Sequence, residues 1–245
     1  GIAGYAIYSN VPITNCSFTG TIHSECEDAL IMGGIFGYTR TGGNVKVTNC
    51  LQAGTLEKPG NSSLTGILIG QINTGYGANA VTNNYYTAST FNVIGSATGI
   101  PTTTPATQCT ANQLLSGEIC YLLNGSSPYG GWGQQLAEDD CPIPGSGYKV
   151  IRAARGDMDA NGGYPYWATF SNLNSNAELL ASTGEITVYN ATVSDGKLTL
   201  TKRSDKKVAS GEGVLLKANS EYVNAKDISD EVFAAATGDT HLVAT

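Results

Sequence analysis

The sequence predicts an all-β chain: a parallel β-solenoid of stacked repeats, then a short helical cap, then a small antiparallel β domain. Three observations lead there. The tripeptide Thr-Asn-x recurs at Thr14-Asn15-Cys16, Thr48-Asn49-Cys50 and Thr82-Asn83-Asn84, 34 residues apart both times. An apolar glycine motif precedes each copy: Gly1-Ile2-Ala3-Gly4-Tyr5, Gly34-Ile35-Phe36-Gly37-Tyr38 and Ile67-Leu68-Ile69-Gly70-Gln71, with the last glycine recurring every 33 residues. Such a period reads as a stacked architecture, because one short unit cannot bury its own apolar face. Finally, only 13% of residues are charged and 31 are glycine, a texture that favours strands and turns over long surface helices.

Each repeat supplies two extended segments, the glycine motif and the run around Thr-Asn, such as Val45-Lys46-Val47-Thr48-Asn49. Stacked in register, Ile2, Ile35 and Leu68 form an inward ladder, and Gly4, Gly37 and Gly70 allow close backbone approach. Asn15, Asn49 and Asn83 are expected to stack as an amide core ladder. Loops leave the stack at variable spacers such as His23-Ser24-Glu25-Cys26-Glu27-Asp28 and Glu57-Lys58-Pro59-Gly60-Asn61. Thr102-Thr103-Thr104-Pro105 lacks core residues and breaks the pattern, which puts the solenoid at residues 1–105.

Residues 106–154 form the cap segment. Its one helix runs over 110–125: Thr110 with Gln113 makes a capping box, Leu114, Leu115, Ile119, Leu122 and Leu123 supply the apolar side, and Asn124-Gly125 stops it. The cap covers exposed strand edges at the solenoid end, with Trp132 packed beneath the helix. Residues 155–245 read as the antiparallel domain. Glu185–Tyr189, Lys197–Thr201 and Gly213–Lys217 alternate as strands, and Asp195-Gly196 is a hairpin turn signal. His241–Thr245 looks like a further strand, so the fold is expected to continue beyond the supplied end.

A formal charge of −7 repels a phosphate backbone, which argues against nucleic-acid binding. No stretch approaches the ~20 apolar residues of a membrane span. Residue 1 already lies inside a repeat motif, so the sequence reads as a mature fragment whose leader, if any, was removed. Six cysteines (Cys16, Cys26, Cys50, Cys109, Cys120 and Cys141) include no Cys-x-x-Cys pair, which disfavours zinc. Cys16 and Cys50 sit at equivalent repeat positions and read as buried free thiols, while Cys120 with Cys141 is the better disulfide candidate.

The Gly-Ile-Ala-Gly and Gly-Ile-Phe-Gly motifs, each followed by Thr-Asn-Cys and then Thr19-Gly20 or Ala53-Gly54, resemble the GLUG repeat of bacterial surface proteins, adhesins among them. The match covers roughly residues 1 to 90. Its third copy departs, with Ile67 in place of Gly34 and Asn84 in place of Cys50. The resemblance implies a right-handed solenoid and a cell-surface setting. Leu114–Gly125 with Trp132-Gly133-Gln134 and Asp140-Cys141-Pro142 looks like a segment of secreted proteins of gut Bacteroidota. Tyr166–Phe170 and Ser210-Gly211-Glu212-Gly213-Val214-Leu215-Leu216-Lys217 are similar to a small β module of the same proteins. None of these motifs brings catalytic residues.

Chemistry is thin elsewhere. Asp157, Asp159 and Asn161 place oxygens at alternate positions with a glycine sixth, as a calcium loop does, but the twelfth position is Ala168, and an ordinary Asp/Asn turn competes. No other cofactor is indicated. Arg155-Gly156-Asp157 spells an integrin-binding tripeptide, a match that short sequences produce by chance. The two histidines, His23 and His241, fall in different expected domains and read as solvated residues. Glu25, Glu27, Asp28, Asp139 and Asp140 are the acids to weigh for glycosidase chemistry, against solvated loops. Tyr85, Tyr86, Tyr164 and Tyr166 are the ligand-stacking candidates, against core packing; Tyr76 and Trp167 flank them. The expectation is a non-enzymatic cell-surface or secreted protein, an adhesin or scaffold with glycans or extracellular host proteins as partners. The alternative is a carbohydrate-active enzyme or its binding region.

Overall fold

The computed structural model describes residues 1–6, 10–25, 31–40, 44–57, 64–73, 80–87, 91–98 and 105–228. Cys26, Glu27, Asp28, Tyr76, residues 58–61 of the second spacer, Thr102–Thr104 and the expected terminal strand with His241 lie outside the described residues. The chain is mostly β and divides into two compact units, Gly1–Leu114 and Leu115–Thr245.

In the first unit the first repeat supplies β1 (Ala3–Ala6), β2 (Asn10–Thr14), β3 (Ser17–Phe18) and β4 (Thr21–His23). The second supplies β5 (Met32–Gly33), β6 (Phe36–Thr39), β7 (Asn44–Thr48), β8 (Leu51–Gln52) and β9 (Thr55–Glu57). The third supplies β10 (Thr65–Ile72), β11 (Ala80–Thr82) and β12 (Asn84–Tyr86). Equivalent strands pair in parallel, giving the columns β1-β6-β10, β2-β7-β11, β3-β8-β12 and β4-β9. The registers match the sequence period: Ala3 faces Phe36, Phe36 faces Ile69, Ile13 faces Val47, and Leu51 faces Tyr85. Ile35, Phe36, Val45, Val47, Leu68 and Ile69 converge from these columns on one core.

The stack continues past the expected boundary near 105. β13 (Asn92–Ala97) pairs with β10 and β14 (Ala106–Gln108) pairs with β12, both in parallel. This fourth layer has no Thr-Asn-x and is shorter, with Ile94 facing Ile69, so it breaks the period that revealed the other three. Gly95 nevertheless extends the glycine column. A Cβ at Gly37 would lie 2.3 Å from the Gly4 carbonyl oxygen, one at Gly70 2.6 Å from that of Gly37, and one at Gly95 2.6 Å from that of Gly70. Ile35 and Leu68 are buried as expected, but Ile2, in the first layer, is 46% exposed because a neighbouring layer covers only one side of it.

The single expected helix is two. α1 (Ala111–Leu115) begins on the expected box, with Gln113 N–H donating to Thr110 Oγ1 at 3.2 Å and Thr110 N–H to Gln113 Oε1 at 3.0 Å. α2 (Glu118–Leu123) follows Gly117, whose φ of +89° ends the first helix. A Cβ at Gly117 would also meet Leu136 Cδ2 at 2.7 Å and Val150 Cγ1 at 2.9 Å, so close packing and the break share one residue. At the far end of α2 the Asn124 amide bonds both backbone groups of Trp132, which is buried.

The second unit adds β15 (Trp132–Gly133), β16 (Ile143–Pro144), β17 (Tyr148–Arg152), β18 (Ala154–Arg155), β19 (Tyr166–Ser171), β20 (Ala177–Leu180), β21 (Ile186–Ser194), β22 (Lys197–Lys202), β23 (Lys207–Val208), β24 (Gly213–Ala218) and β25 (Tyr222–Asp227). Its sheets run β17-β25-β20-β23 and β18-β19-β24-β21-β22, antiparallel throughout. Leu179, Val223 and Ala225 meet Phe170, Val188, Val214 and Leu216 in a second core. Asp195 and Gly196 take φ of +52° and +73° and close the β21–β22 hairpin, as the sequence signal requires. Glu212, in the Ser-Gly-Glu-Gly motif, is a structural residue: its buried carboxylate accepts from Arg203 Nη1 at 2.7 Å and from the Ala209 N–H at 2.9 Å.

Cys120 and Cys141 are free thiols, not a disulfide, and Cys16, Cys50 and Cys109 are free as well. Cys120 is buried on the inner side of α2 while Cys141 lies half-buried in a loop. Burial pushes the Cys120 thiol up to about 12 and the Cys50 thiol up to about 11, so both are inert near neutrality.

Candidate functional site

The recurring residues of the first unit are occupied in holding it together. Asn15, Asn49 and Asn83 take φ of +52°, +53° and +51°, the left-handed region that asparagine tolerates better than other side-chain-bearing residues. They turn the chain between one strand column and the next, and are half-buried or exposed instead of forming a core ladder. The amide stack exists at this corner, where Asn83 Nδ2 donates to Asn49 Oδ1 at 2.8 Å. The next position points inward. Cys50 Sγ donates to Thr48 O at 3.3 Å and Ile13 O at 3.6 Å, and the replacement at Asn84 makes the corresponding bond to Val47 O at 2.9 Å while accepting from Cys50 N–H at 2.9 Å. The departure that weakens the third copy as a motif thus strengthens it as structure.

The sequence candidates do not assemble into one site. Tyr85 is buried, and Tyr86 packs partly buried against the first core. Tyr166 packs against the second core; Tyr164 is 45% exposed with Arg155 stacked 3.7 Å from its ring centroid. That contact also commits the arginine of the Arg-Gly-Asp tripeptide, whose glycine N–H bonds Pro165 O at 2.7 Å. Asp159 Oδ1 accepts from the N–H groups of Asn161 and Gly163 at 2.9 and 3.0 Å, a side-chain-closed turn, with Asp157 and Asn161 exposed beside it. Among the described residues no group of three or more His, Cys, Asp or Glu is placed to hold a metal. His23 Nδ1 lies 3.1 Å from Glu57, its repeat equivalent, and Nε2 lies 3.9 Å from Glu25, all exposed. Asp139 accepts from Gln135 N–H at 2.6 Å and so closes a turn, while Asp140 is exposed.

A different place in the second unit gathers more chemistry. A groove of about 410 Å³ is lined by the break between α1 and α2 (Leu115, Ser116 and Glu118), by Leu136 and Ala137, and by the ends of β20 and β25 (Ser182, Thr183, Ser220, Glu221 and Tyr222). Buried Asn224 fixes one wall, its amide bonding Leu136 N–H at 2.7 Å, Gln134 O at 2.7 Å and Lys149 O at 3.1 Å. On the other wall Ser182 and Ser220 both donate to Tyr222 O at 2.9 Å and lie 3.1 Å from each other. Arg152 Nε donates to Glu221 at 2.8 Å, and Tyr121 meets Tyr222 edge-on with ring centroids 6.2 Å apart.

Burial, then the charges of Glu221 and Glu118, push the Tyr222 phenol up to about 12. It therefore stays a hydrogen-bond donor across the physiological range. Two carboxylates, a phenol and several hydroxyls around apolar Leu115 and Leu136 suit a neutral, polyhydroxylated ligand. No motif announced this groove, because its residues come from a glycine break and three polar turns far apart in sequence. Compared with family models, curated proteins and solved structures, the chain matches none.

Proposed function

We propose that this chain is a non-enzymatic scaffold of the bacterial cell surface or secretome, whose second unit offers a saccharide-binding groove. In this reading the first unit is a right-handed parallel β-solenoid of GLUG-type repeats, and the antiparallel unit is the module that meets the ligand. The observation that carries it is the use of the recurring residues. Asn83, Asn84 and the glycine column are consumed in stacking, which suits a rigid spacer and leaves ligand contact to the groove. Glu118 and Glu221 sharing that groove favour, as a second reading, a carbohydrate-active enzyme using paired carboxylates.

A saccharide array probed with the whole chain, followed by sugar-release assays on each hit, separates the two. The scaffold reading expects binding without release, weakened about tenfold by Tyr222→Phe or Glu118→Gln, the loss of roughly one hydrogen bond to ligand. Sugar release abolished by Glu118→Gln establishes the enzyme instead. Absence of binding to any saccharide refutes the groove assignment.

A further inference from the structure

The β21–β22 hairpin projects beyond the sheet that carries it. β24 pairs with β21 only from Ile186 to Tyr189, whereas β22 follows β21 out to Ser194. All six residues of β22 are exposed, and its outer side pairs with no other described strand. On one face of this ribbon Leu198 and Leu200 are 56% and 37% exposed, with Val193, directly opposite Leu198, at 45%. Edge strands are usually blunted by proline, a bulge or a central charge. Here the centre reads Leu198-Thr199-Leu200-Thr201, with lysines only at the two ends.

We infer that this edge is a dimerisation surface, on which β22 pairs antiparallel with β22 of a second copy about a twofold axis at Thr199. Three observations fix partner and register. In a two-residue hairpin the residues flanking the turn, Ser194 and Lys197, exchange both backbone hydrogen bonds, so the N–H and C=O groups of Leu198, Leu200 and Lys202 point to the open side. Only outward-pointing residues can exchange bonds across the new pairing, and a twofold axis at Thr199 sets Leu198 opposite the second copy's Leu200 in that way. The leucines of both copies then form one continuous apolar stripe with both Val193 side chains.

Charge agrees with this register. Lys202 falls opposite the second copy's Gly196, beside its exposed Asp195, and Lys197 falls opposite Thr201, so no two lysines face each other. A strand that is its own complement points to a second copy of this chain over a foreign strand.

The test uses the whole chain in sedimentation equilibrium and in cysteine trapping. The mass is expected to rise with concentration from 25.4 kDa towards twice that value, and to stay at the monomer in Leu198→Lys/Leu200→Lys, where both positions are solvent-facing. Thr199→Cys is expected to form a disulfide dimer under mild oxidation, because the two copies of residue 199 form a close non-hydrogen-bonded pair. Thr201→Cys, opposite Lys197, is expected not to do so. A monomer at every concentration without a Thr199→Cys dimer overturns the inference and leaves the edge to residues 229–245 or to a foreign strand. A dimer that survives the double lysine variant overturns it as well.

Discussion

Asparagine does two separate jobs at adjacent positions of the repeat, and only one of them is visible as a motif. The Asn15, Asn49 and Asn83 series recurs because the backbone there turns left-handed, a conformation that excludes most other side chains. Asn84 breaks the motif and yet makes the better bond, reaching Val47 O and Cys50 N–H at once, where a cysteine reaches carbonyls alone. Asn84→Ala strands both buried backbone groups and is expected to cost about 2–4 kcal/mol in denaturant unfolding. Asn84→Cys is expected to cost clearly less, since Cys50 already donates its thiol to the equivalent Ile13 carbonyl. Equal losses in the two variants would contradict this account of the position.

At the scale of the strand, the glycine column sets how closely layers approach. The missing Cβ at Gly37 leaves room for the Gly4 carbonyl, while Gly4 itself has nothing within 4 Å of an added Cβ. Gly37→Ala is therefore expected to lower stability by about 1–3 kcal/mol through forced separation of β1 and β6, and Gly4→Ala to leave the melting temperature nearly unchanged. Calorimetry of the two variants checks the contrast. The column was legible in the sequence as far as Gly70, because three glycines kept a constant period. Gly95 was not, since its layer is shortened and its neighbours carry no second motif. The helix was legible as a capping box and an apolar run, and Gly117 stood inside it as the weak point, but that its backbone turns left-handed and packs under Leu136 and Val150 could be seen only in the fold.

For the molecule as a whole, texture separates repeats at 1–105, a cap segment at 106–154 and an antiparallel domain at 155–245, whereas the chain clusters into Gly1–Leu114 and Leu115–Thr245, with β14 still paired to β12 in the first unit. The tyrosines weighed for ligand stacking against core packing could not be sorted by sequence, since a tyrosine in an alternating strand gives no sign of which face is covered; Tyr85 is buried and Tyr166 packs against the second core, while Tyr164 is 45% exposed. The groove escaped the sequence because Glu118, Leu136, Ser182 and Tyr222 have no common spacing and meet only when α2, β20 and β25 are in place. The central claim is that equivalent residues of successive repeats lie side by side in parallel strands. Proton–proton NOE contacts in the isotopically labelled chain test it most directly. Interstrand contacts linking Thr14 with Thr48 and Thr48 with Thr82, together with positive-φ couplings at Asn15, Asn49 and Asn83, are the predicted result. Contacts pairing β1 with β2 or β6 with β7 as antiparallel hairpins within one repeat would contradict it.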